Sequence, residues 1–263
     1  MQKLNVLIAG TGEHSQIIKK SKFLNKLYTT NFNIKDAVSL RFNTFQELAE
    51  QCRALQIDAV IVENEKWVLE GIRDVMTKNN INCVCASSKF TDIKTNINLG
   101  RKLLDKYGIN IPDKIKYPSE FPVLVRGSGI KRIANSIQEI IKIKEEINNI
   151  SGEISDSIFL EKYLTGEKYV IASLFDGQKL LTFPRKDIGN EILSEYSIKL
   201  ENLLKGENEN FCGFINSELV KDEKSLYCTG FSFGFDGNLI DCKDILYIII
   251  SAIYQKLNEI EIQ

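Results

Sequence analysis

The first hundred residues alternate between short apolar runs and stretches with the 3.6-residue spacing of amphipathic helices. The apolar runs predict strands at Lys3–Ala9, Asp36–Leu40, Asp58–Val62 and Asn82–Ala86. Helical spacing between them predicts helices from Ser15 to about Leu27, over Thr44–Leu55 and over Lys66–Asn79. Strands that alternate with helices in this way predict an α/β domain with a doubly wound parallel sheet.

The carboxyl ends of these strands form the edge where ligands of parallel sheets bind. That edge contains the segments Gly10–His14, Glu63–Glu65 and Ser87–Ser88. Amide groups at a glycine turn before a helix favour a phosphate or carboxylate, although the geometry of the turn alone also explains the glycines. Ser15 stands where a dinucleotide fingerprint has its third glycine, so that fingerprint is incomplete. Glu65 is either a ligand-binding residue or a cap of the following helix.

The second half of the chain changes character after a helix at Asp92–Tyr107 that ends at Gly108. Pro112 and Pro118 follow, and they predict a domain boundary, with domains at 1–112 and 113–263. The remaining pattern predicts strands at Phe121–Val125, Lys179–Phe183, Phe211–Val220 and Ser225–Phe235, and helices at Ala134–Asn149, Asn190–Lys205 and Asp244–Asn258. Arg126 leads from the first of these strands into a glycine turn, a position that suits a phosphate or a plain strand-to-helix connection.

The stretch Ser157–Gly177 has the pattern of a β-hairpin, two strands joined by a turn at Thr165-Gly166. Glu161 and Glu167 lie on either side of the apolar step Tyr163-Leu164. Such an arrangement could bind adenosine, with backbone groups on the base edge and a carboxylate on the ribose. The alternative is an amphipathic hairpin whose charges face water.

Composition narrows the function classes. The chain has 263 residues, 43% hydrophobic and 26% charged, and its net charge is -1, so no global field attracts nucleic acid or an anionic membrane. The apolar N-terminal run indicates a buried strand rather than a signal peptide, no run is long enough to span a bilayer, and we expect a cytoplasmic protein. Six cysteines without a C-x-x-C pair and a single histidine, His14, argue against a zinc site and a Cys-His nucleophile. We therefore predict no metal site of this kind and assign no catalytic residue.

Five segments, taken in order, carry a resemblance to a known family. They are Gly10-Thr11-Gly12-Glu13-His14, Val62-Glu63-Asn64-Glu65, Lys106-Tyr107-Gly108-Ile109, Phe121–Arg126 and Glu161-Lys162-Tyr163-Leu164-Thr165-Gly166-Glu167. The last is similar, position by position, to Glu-Glu-Phe-Leu-x-Gly-Glu, the adenine hinge of phosphoribosylamine-glycine ligases in the ATP-grasp superfamily. The others resemble that family's glycine turn with Arg-Glu-His, its Gly-Pro-Glu segment, its Tyr-Gly-Ile step and its strand with a nucleotide-contacting lysine.

The resemblance implies a parallel-sheet (pre-ATP-grasp) domain followed by an α+β ATP-grasp domain, with subdomains at about 113–156 and 157–263. It implies ATP as cofactor and an ATP-dependent ligation of glycine to phosphoribosylamine. The implied ATP-binding residues are Arg126, Glu161, Lys162, Tyr163, Leu164 and Glu167, and those for a phosphorylated amino-sugar substrate are Gly10, Gly12, Glu13, His14 and Glu65. For His14, a helix first-turn residue bonded to the backbone is the alternative.

The sequence also departs from the family. The strand that should carry Mg²⁺ ligands, Leu226–Gly234, has no carboxylate and no Asn, and the glycine loop is cut to Gly127–Gly129. Asp236 and Asp241 are a displaced metal site or turn-forming residues. The family's C-terminal domain is expected to be missing. We therefore expect an impaired or inactive ligase without Mg²⁺, or alternatively a pseudoenzyme that binds a nucleotide and acts through a protein partner. A nicotinamide oxidoreductase is a third hypothesis.

Overall fold

The computed structural model describes residues 3–127, 130–151, 158–185, 187–222 and 225–260. The chain divides into two compact units. Unit 1 comprises Met1–Thr91, Val170–Ser217 and Phe231–Gln263, and unit 2 comprises Asp92–Tyr169 and Glu218–Gly230. Each unit combines separate stretches of the chain. The domain boundary expected after residue 112 stays a prediction.

Strands and helices are interspersed along the described part of the chain. The strands are β1 (Leu4–Ala9), β2 (Leu24–Thr29), β3 (Val38–Ser39), β4 (Ala59–Val62), β5 (Asn82–Val84), β6 (Lys114–Ile115), β7 (Val123–Gly127), β8 (Ile130–Ala134), β9 (Phe159–Lys162), β10 (Glu167–Phe175), β11 (Leu180–Thr182), β12 (Gly213–Lys221) and β13 (Leu226–Phe233). The α-helices are α1 (Ser15–Lys19), α2 (Phe45–Ala54), α3 (Glu65–Leu69), α4 (Ile72–Lys78), α5 (Ser88–Thr95), α6 (Ile97–Lys106), α7 (Ile137–Ser151), α8 (Asn190–Gly206) and α9 (Ile245–Ile253). Short 3-10 helices lie at Gly237–Leu239 and Leu257–Glu259.

Unit 1 is built on a five-stranded sheet of order β3-β2-β1-β4-β5. Every pairing in it is parallel. All four residues of β4 are buried, as expected for a strand covered on both faces. Val6 and Ile8 of β1 share one core with Leu174 of β10 and with Ile249 of α9. The prediction of an α/β fold with a doubly wound parallel sheet is confirmed.

The first predicted helix, from Ser15 to about Leu27, is wrong in its second half. Helix α1 ends at Lys19, and β2 follows at Leu24–Thr29, in parallel register with β1. Leu27, Tyr28 and Thr29 are buried in this sheet position. Pairing with β1 and β3 therefore outweighs the helical spacing of this segment. These pairing partners are distant in sequence, so the local pattern cannot predict the strand.

Two other long predicted helices are each divided in two. The helix expected over Lys66–Asn79 breaks into α3 and α4 at Gly71, whose φ is 81°. The helix expected over Asp92–Tyr107 breaks at Asn96, whose side chain accepts a hydrogen bond from the amide of Leu99 (3.1 Å) and so begins α6. Gly108 ends α6 with a φ of 67°, the left-handed conformation predicted for a helix C-cap.

Unit 2 contains an antiparallel sheet of order β6-β9-β7-β8. One face of this sheet is apolar and packs against α7. The contact is made by Val123, Val125 and Leu160 of the sheet and by Ile140, Ile143 and Ile147 of the helix. The other face therefore carries the side chains that alternate with these apolar residues.

The hairpin predicted within Ser157–Gly177 does not form. Strand β9 pairs with β6 and β7, whereas β10 belongs to a different sheet, of order β11-β10-β12-β13. Tyr163–Gly166 is therefore a linker between two sheets. Gly166 does not have a positive φ, but a Cβ there would lie 1.9 Å from the carbonyl oxygen of Lys221. The glycine is needed for close approach to β12 rather than for a turn.

A search of the described helices for membrane spans finds none that is long and apolar enough to cross a bilayer.

Candidate functional site

The face of the unit 2 sheet opposite α7 carries four charged side chains together with Leu124, Ile133 and Phe159, and we call it the polar face. Its defining residues are Lys114, Arg126, Lys131, Phe159 and Glu161. The strand register places Arg126 opposite both Lys131 and Phe159, and Lys114 opposite Glu161. Directly opposite residues of antiparallel strands share a face, so these side chains lie together. Arg126 and Glu161, both predicted to bind ATP, are therefore neighbours.

Glu161 lies at the centre of a buried ion cluster. Its side chain is 0% exposed, and its Oε2 accepts a hydrogen bond from Arg126 Nη1 at 3.1 Å. Its Oε1 accepts a second from Arg101 of α6, which also donates to the carbonyl oxygen of Pro112. The two guanidinium side chains are 14% and 16% exposed. One buried carboxylate thus forms ion pairs with two arginines, and the cluster of these three side chains has a net positive charge.

More cations surround this cluster. The ammonium group of Lys114 lies 4.2 Å from the centre of the Phe159 ring, and the Arg101 guanidinium lies 5.5 Å from the same ring. Lys131 Nζ lies 3.5 Å from Glu218 Oε2, with the two side chains 39% and 42% exposed. A cavity of about 750 Å³ lies beside Arg101 and Lys114. The polar face with its partners Arg101 and Glu218 therefore carries four cations and two carboxylates.

The linker residues lie at the edge of the polar face. The backbone amide of Lys162 donates to the carbonyl oxygen of Asp113 (2.9 Å). Tyr163 and Leu164 are half-buried, and Glu167 is exposed. The Glu167 carboxylate accepts a hydrogen bond from the Tyr169 hydroxyl, which fixes its position. A cavity of about 380 Å³ is lined by Thr165, Gly166, Glu167, Lys221 and Asp222.

These residues offer suitable partners for a nucleotide. Nε of Arg126 is buried and has no hydrogen-bond partner among the described residues, so this arginine has unused donor capacity. None of the backbone hydrogen bonds between described residues that lie outside helices and strands involves Tyr163, Leu164 or Thr165. Linker amides and carbonyls of this kind can bind a base edge, and the positioned Glu167 carboxylate can accept from ribose hydroxyls.

The same residues do not fit a divalent cation. Both oxygens of Glu161 bind arginine, and Glu218 pairs with Lys131. Glu218 also lies against Gly230 of β13, where a Cβ would come within 3.0 Å of its Oε2. In the part of the chain that the structure describes, no three His, Cys, Asp or Glu side chains are placed to hold a metal ion. Asp236 accepts from the amide of Asn238 (3.0 Å) and so caps a 3-10 helix, as expected of a turn-forming residue.

A second group of predicted residues meets at the carboxyl ends of β1 and β4 in unit 1. Glu63 Oε2 accepts hydrogen bonds from the amide of Gly12 (2.6 Å) and from Thr11 Oγ1 (3.3 Å), and Oε1 accepts from the amide of His14 (3.2 Å). Gly10 lets the strands approach, since a Cβ there would lie 2.7 Å from Glu63 Cβ. The amides that were predicted to favour an anion thus hold a carboxylate of this chain.

The remaining predicted substrate residues surround this turn. His14 is 7% exposed, and its Nε2 lies 3.4 Å from Asp236 Oδ1. Glu65 accepts a hydrogen bond from the amide of Phe233 (2.9 Å) and is not the helix cap, because the side chain of Asn64 accepts from Lys66 at the start of α3. Glu13 is exposed. Their roles in substrate binding stay predictions.

The sequence contains no signal for Arg101, whose partner Glu161 is 60 residues away. Glu63 is different, because it lies in the predicted ligand-binding edge, where the resemblance implies Glu65 as the substrate residue. The strand end itself could have identified Glu63, because its carboxylate is the first after β4 and faces the amides of the neighbouring turn.

Comparison with known proteins agrees with this architecture. No protein-family model matches the chain. Solved structures with the same fold include phosphoribosylamine-glycine ligase from Thermotoga maritima, with a TM-score of 0.71, 12% identity and coverage of 99% of this chain and 77% of that one. D-alanine-D-alanine ligase from Bacillus anthracis, complexed with ATP, gives a TM-score of 0.63 at 17% identity and covers 99% of this chain and 100% of that one. The fold is that of the ATP-grasp enzymes.

Two curated relatives make the likeness more specific. Phosphoribosylamine-glycine ligase from Methanosphaera stadtmanae is 24% identical over 220 residues, covering 69% of this chain and 48% of the relative. The enzyme of that name from Fusobacterium nucleatum is 23% identical over 208 residues, covering 68% and 49%. The resemblance to phosphoribosylamine-glycine ligase is therefore confirmed. The chain spans about half the length of the curated relatives it matches.

Proposed function

We propose that the chain binds ATP or ADP in unit 2, at the linker Tyr163–Glu167 and the adjoining polar face. The observation that carries this proposal is the position of the linker, which joins two sheets and directly follows β9, the strand that carries Glu161, the partner of Arg126. Backbone groups of Tyr163 and Leu164 would bind the adenine edge, beside Lys162, whose amide already donates to Asp113. Arg126 would bind a phosphate, and Glu167 would accept hydrogen bonds from the ribose.

We further propose that the chain derives from an ATP-dependent carboxylate-amine ligase and that its ligation is impaired. The names of the curated relatives support a ligase that joins glycine to phosphoribosylamine. The two oxygens of the buried Glu161 carboxylate, both bound to arginine, argue against full activity, because metal-assisted phosphoryl transfer uses free oxygen ligands. They favour the second candidate function, a pseudoenzyme that binds the nucleotide and acts through a partner protein.

The other parts of the proposal concern partners and location. The ligands are small molecules, a nucleotide and a phosphorylated amino sugar, and the net charge of -1 gives no support for nucleic-acid binding. All six cysteines are free thiols, which favours a reducing compartment and hence the cytoplasm.

Calorimetric titration with ADP tests nucleotide binding, and Glu167→Gln tests the role of the linker. The variant should bind ADP about five- to tenfold more weakly, because a charged acceptor for the ribose hydroxyls is lost. The parent protein and Glu167→Gln should bind 2′,3′-dideoxy-ADP equally well, because this analogue lacks both ribose hydroxyls. Glu145→Gln, on the exposed surface of α7, is the matched control. Equal ADP binding by all three proteins would refute the ribose contact.

Ligation is tested separately by release of ADP from ATP in the presence of glycine and phosphoribosylamine. We expect release that does not depend on glycine or is not measurable. Glycine-dependent release at a rate typical of metabolic ligases would refute the impairment and the pseudoenzyme candidate together.

A further inference from the structure

We infer that nucleotide binding at the polar face requires no divalent metal ion, because fixed cations of the chain balance the phosphate charge. This inference rests on the proposed function and extends it. Its basis is the disagreement between the ATP-grasp fold, whose enzymes use Mg²⁺ with ATP, and the side chains present in this chain.

The carboxylates near the polar face are the starting point. Protein sites for Mg²⁺ on nucleotides use one or two carboxylates together with phosphate oxygens. Glu161 is unsuitable because its buried oxygens both bind arginine, and moving either would leave a guanidinium without its partner. Glu218 is the other carboxylate of the polar face and its partners, and it pairs with Lys131. Both acids of this face are therefore already paired with cations of the chain.

The cations show a surplus of the opposite sign. Lys114, Arg101, Arg126 and Lys131 face the two carboxylates. The cavity beside Arg101 and Lys114 is also lined by Lys102, Asp105 and Asp113, so five cations meet four carboxylates and one positive charge remains. Arg101 and Arg126 are largely shielded from water, so their field is screened less than that of surface groups. A diphosphate would meet charge that the protein already holds in place.

Lys131 is the cation best able to take the place of the metal. Its pair with Glu218 is 3.5 Å long and about 40% exposed at both ends, so the ammonium group, which has three donors, can also reach a phosphate. The lysine lies directly opposite Arg126 in the sheet register, so both can contact the same phosphate group. On nucleotide binding, Lys131 contacts a phosphate with a second N–H and keeps Glu218 as a partner, so the Glu218 carboxylate stays neutralised by the lysine.

The experiment compares ADP binding by calorimetry in excess EDTA and in millimolar MgCl₂. We expect the two Kd values to agree within about threefold. A Kd that is tighter by about tenfold or more in MgCl₂ would overturn the inference and leave nucleotide binding intact. Absence of binding in both buffers would refute the proposed function, and the inference with it.

Two variants test the named residues. Lys131→Gln should weaken binding in EDTA by about five- to tenfold, whereas Lys142→Gln, exposed on the helix behind the sheet, should leave it unchanged. Glu218→Gln should bind ADP in EDTA as tightly as the parent or more tightly, because Lys131 loses its competing carboxylate. If Glu218→Gln instead weakens binding only in MgCl₂, Glu218 is a metal ligand and the inference is wrong.

Discussion

Replacing Glu161 by Gln would break the ion cluster that supports the polar face. The glutamine has nearly the same shape, but it carries no charge and can offer only one acceptor oxygen to the two arginines. Arg101 and Arg126 would remain 14% and 16% exposed with no carboxylate between them. Removing one partner from a buried ion cluster costs about 3–5 kcal/mol of folding free energy.

That loss is measured by urea unfolding followed by circular dichroism, which reports on the helices and strands of unit 2 as well as those of unit 1. With an m-value of about 2 kcal/mol/M, the midpoint should fall by about 1.5–2.5 M. Glu145→Gln, an exposed change of the same chemistry, should shift it by less than about 0.3 M.

A shift below about 0.5 M for Glu161→Gln would show that the cluster contributes little, and would refute the argument from burial. If the variant cannot be purified, a triple variant provides the test. Glu161→Leu combined with Arg101→Met and Arg126→Met removes all three charges at once. This variant should recover most of the lost stability, since an apolar replacement of a buried ion cluster is often neutral. A triple variant as unstable as the single one would contradict the electrostatic explanation.

The remaining predictions concern packing, thiol reactivity and acid stability. Gly166→Ala should lower the Tm by about 3–10 °C, because the new methyl group meets the β12 backbone. The control Gly189→Ala, with no heavy atom within 4 Å of the added carbon, should change the Tm by less than about 2 °C. Equal shifts of the two variants would contradict the close approach at Gly166. Burial raises the pKa of Cys52 to about 12 and that of Cys242 to about 11. A thiol reagent at pH 8 should therefore label both cysteines slowly until urea is added, as measured by peptide mass mapping. Rapid labelling of the native protein would refute the protonated state of these thiols. Burial raises the pKa of Glu201, but hydrogen bonds from two lysines and a backbone amide outweigh it and hold the pKa below its ordinary value of 4.5. The stability from this group is present above pH 4.5 and is lost as the pH falls through the depressed pKa, so Glu201→Gln should flatten the acid limb of a Tm profile, and parallel limbs would refute this.

Local signals in the sequence predicted the elements whose stability is local. The helix expected over Thr44–Leu55 forms as α2, and the Thr44 side chain accepts from the amide of Glu47 (3.2 Å), as the capping-box spacing predicts. Helix α8 begins at Asn190 as predicted and ends one residue beyond the predicted Lys205. The bounds of both helices follow from local residues, a capping side chain in α2 and an amphipathic period in α8. Contacts with distant parts of the chain do not change them.

The errors arose where a distant partner decides the structure. Glycine and alternating residues around Gly166 have the pattern of a hairpin, but β9 and β10 find better partners in separate sheets. The same limit applies to the candidate site. The hinge motif identified Glu161 and Glu167, but only the folded chain shows that Arg101 pairs with Glu161 and that Glu63 occupies the amides of the glycine turn.

Unit 1 is assembled from three separate stretches of the chain, and this has a consequence for biosynthesis. Val6 and Ile8, translated among the first residues, share their core with Ile249 of α9. At about 5–20 residues per second, α9 leaves the ribosome roughly 10–50 s after β1. Until then the nascent parallel sheet lacks the part of its apolar cover that α9 supplies, and its exposed side chains are open to association with other chains.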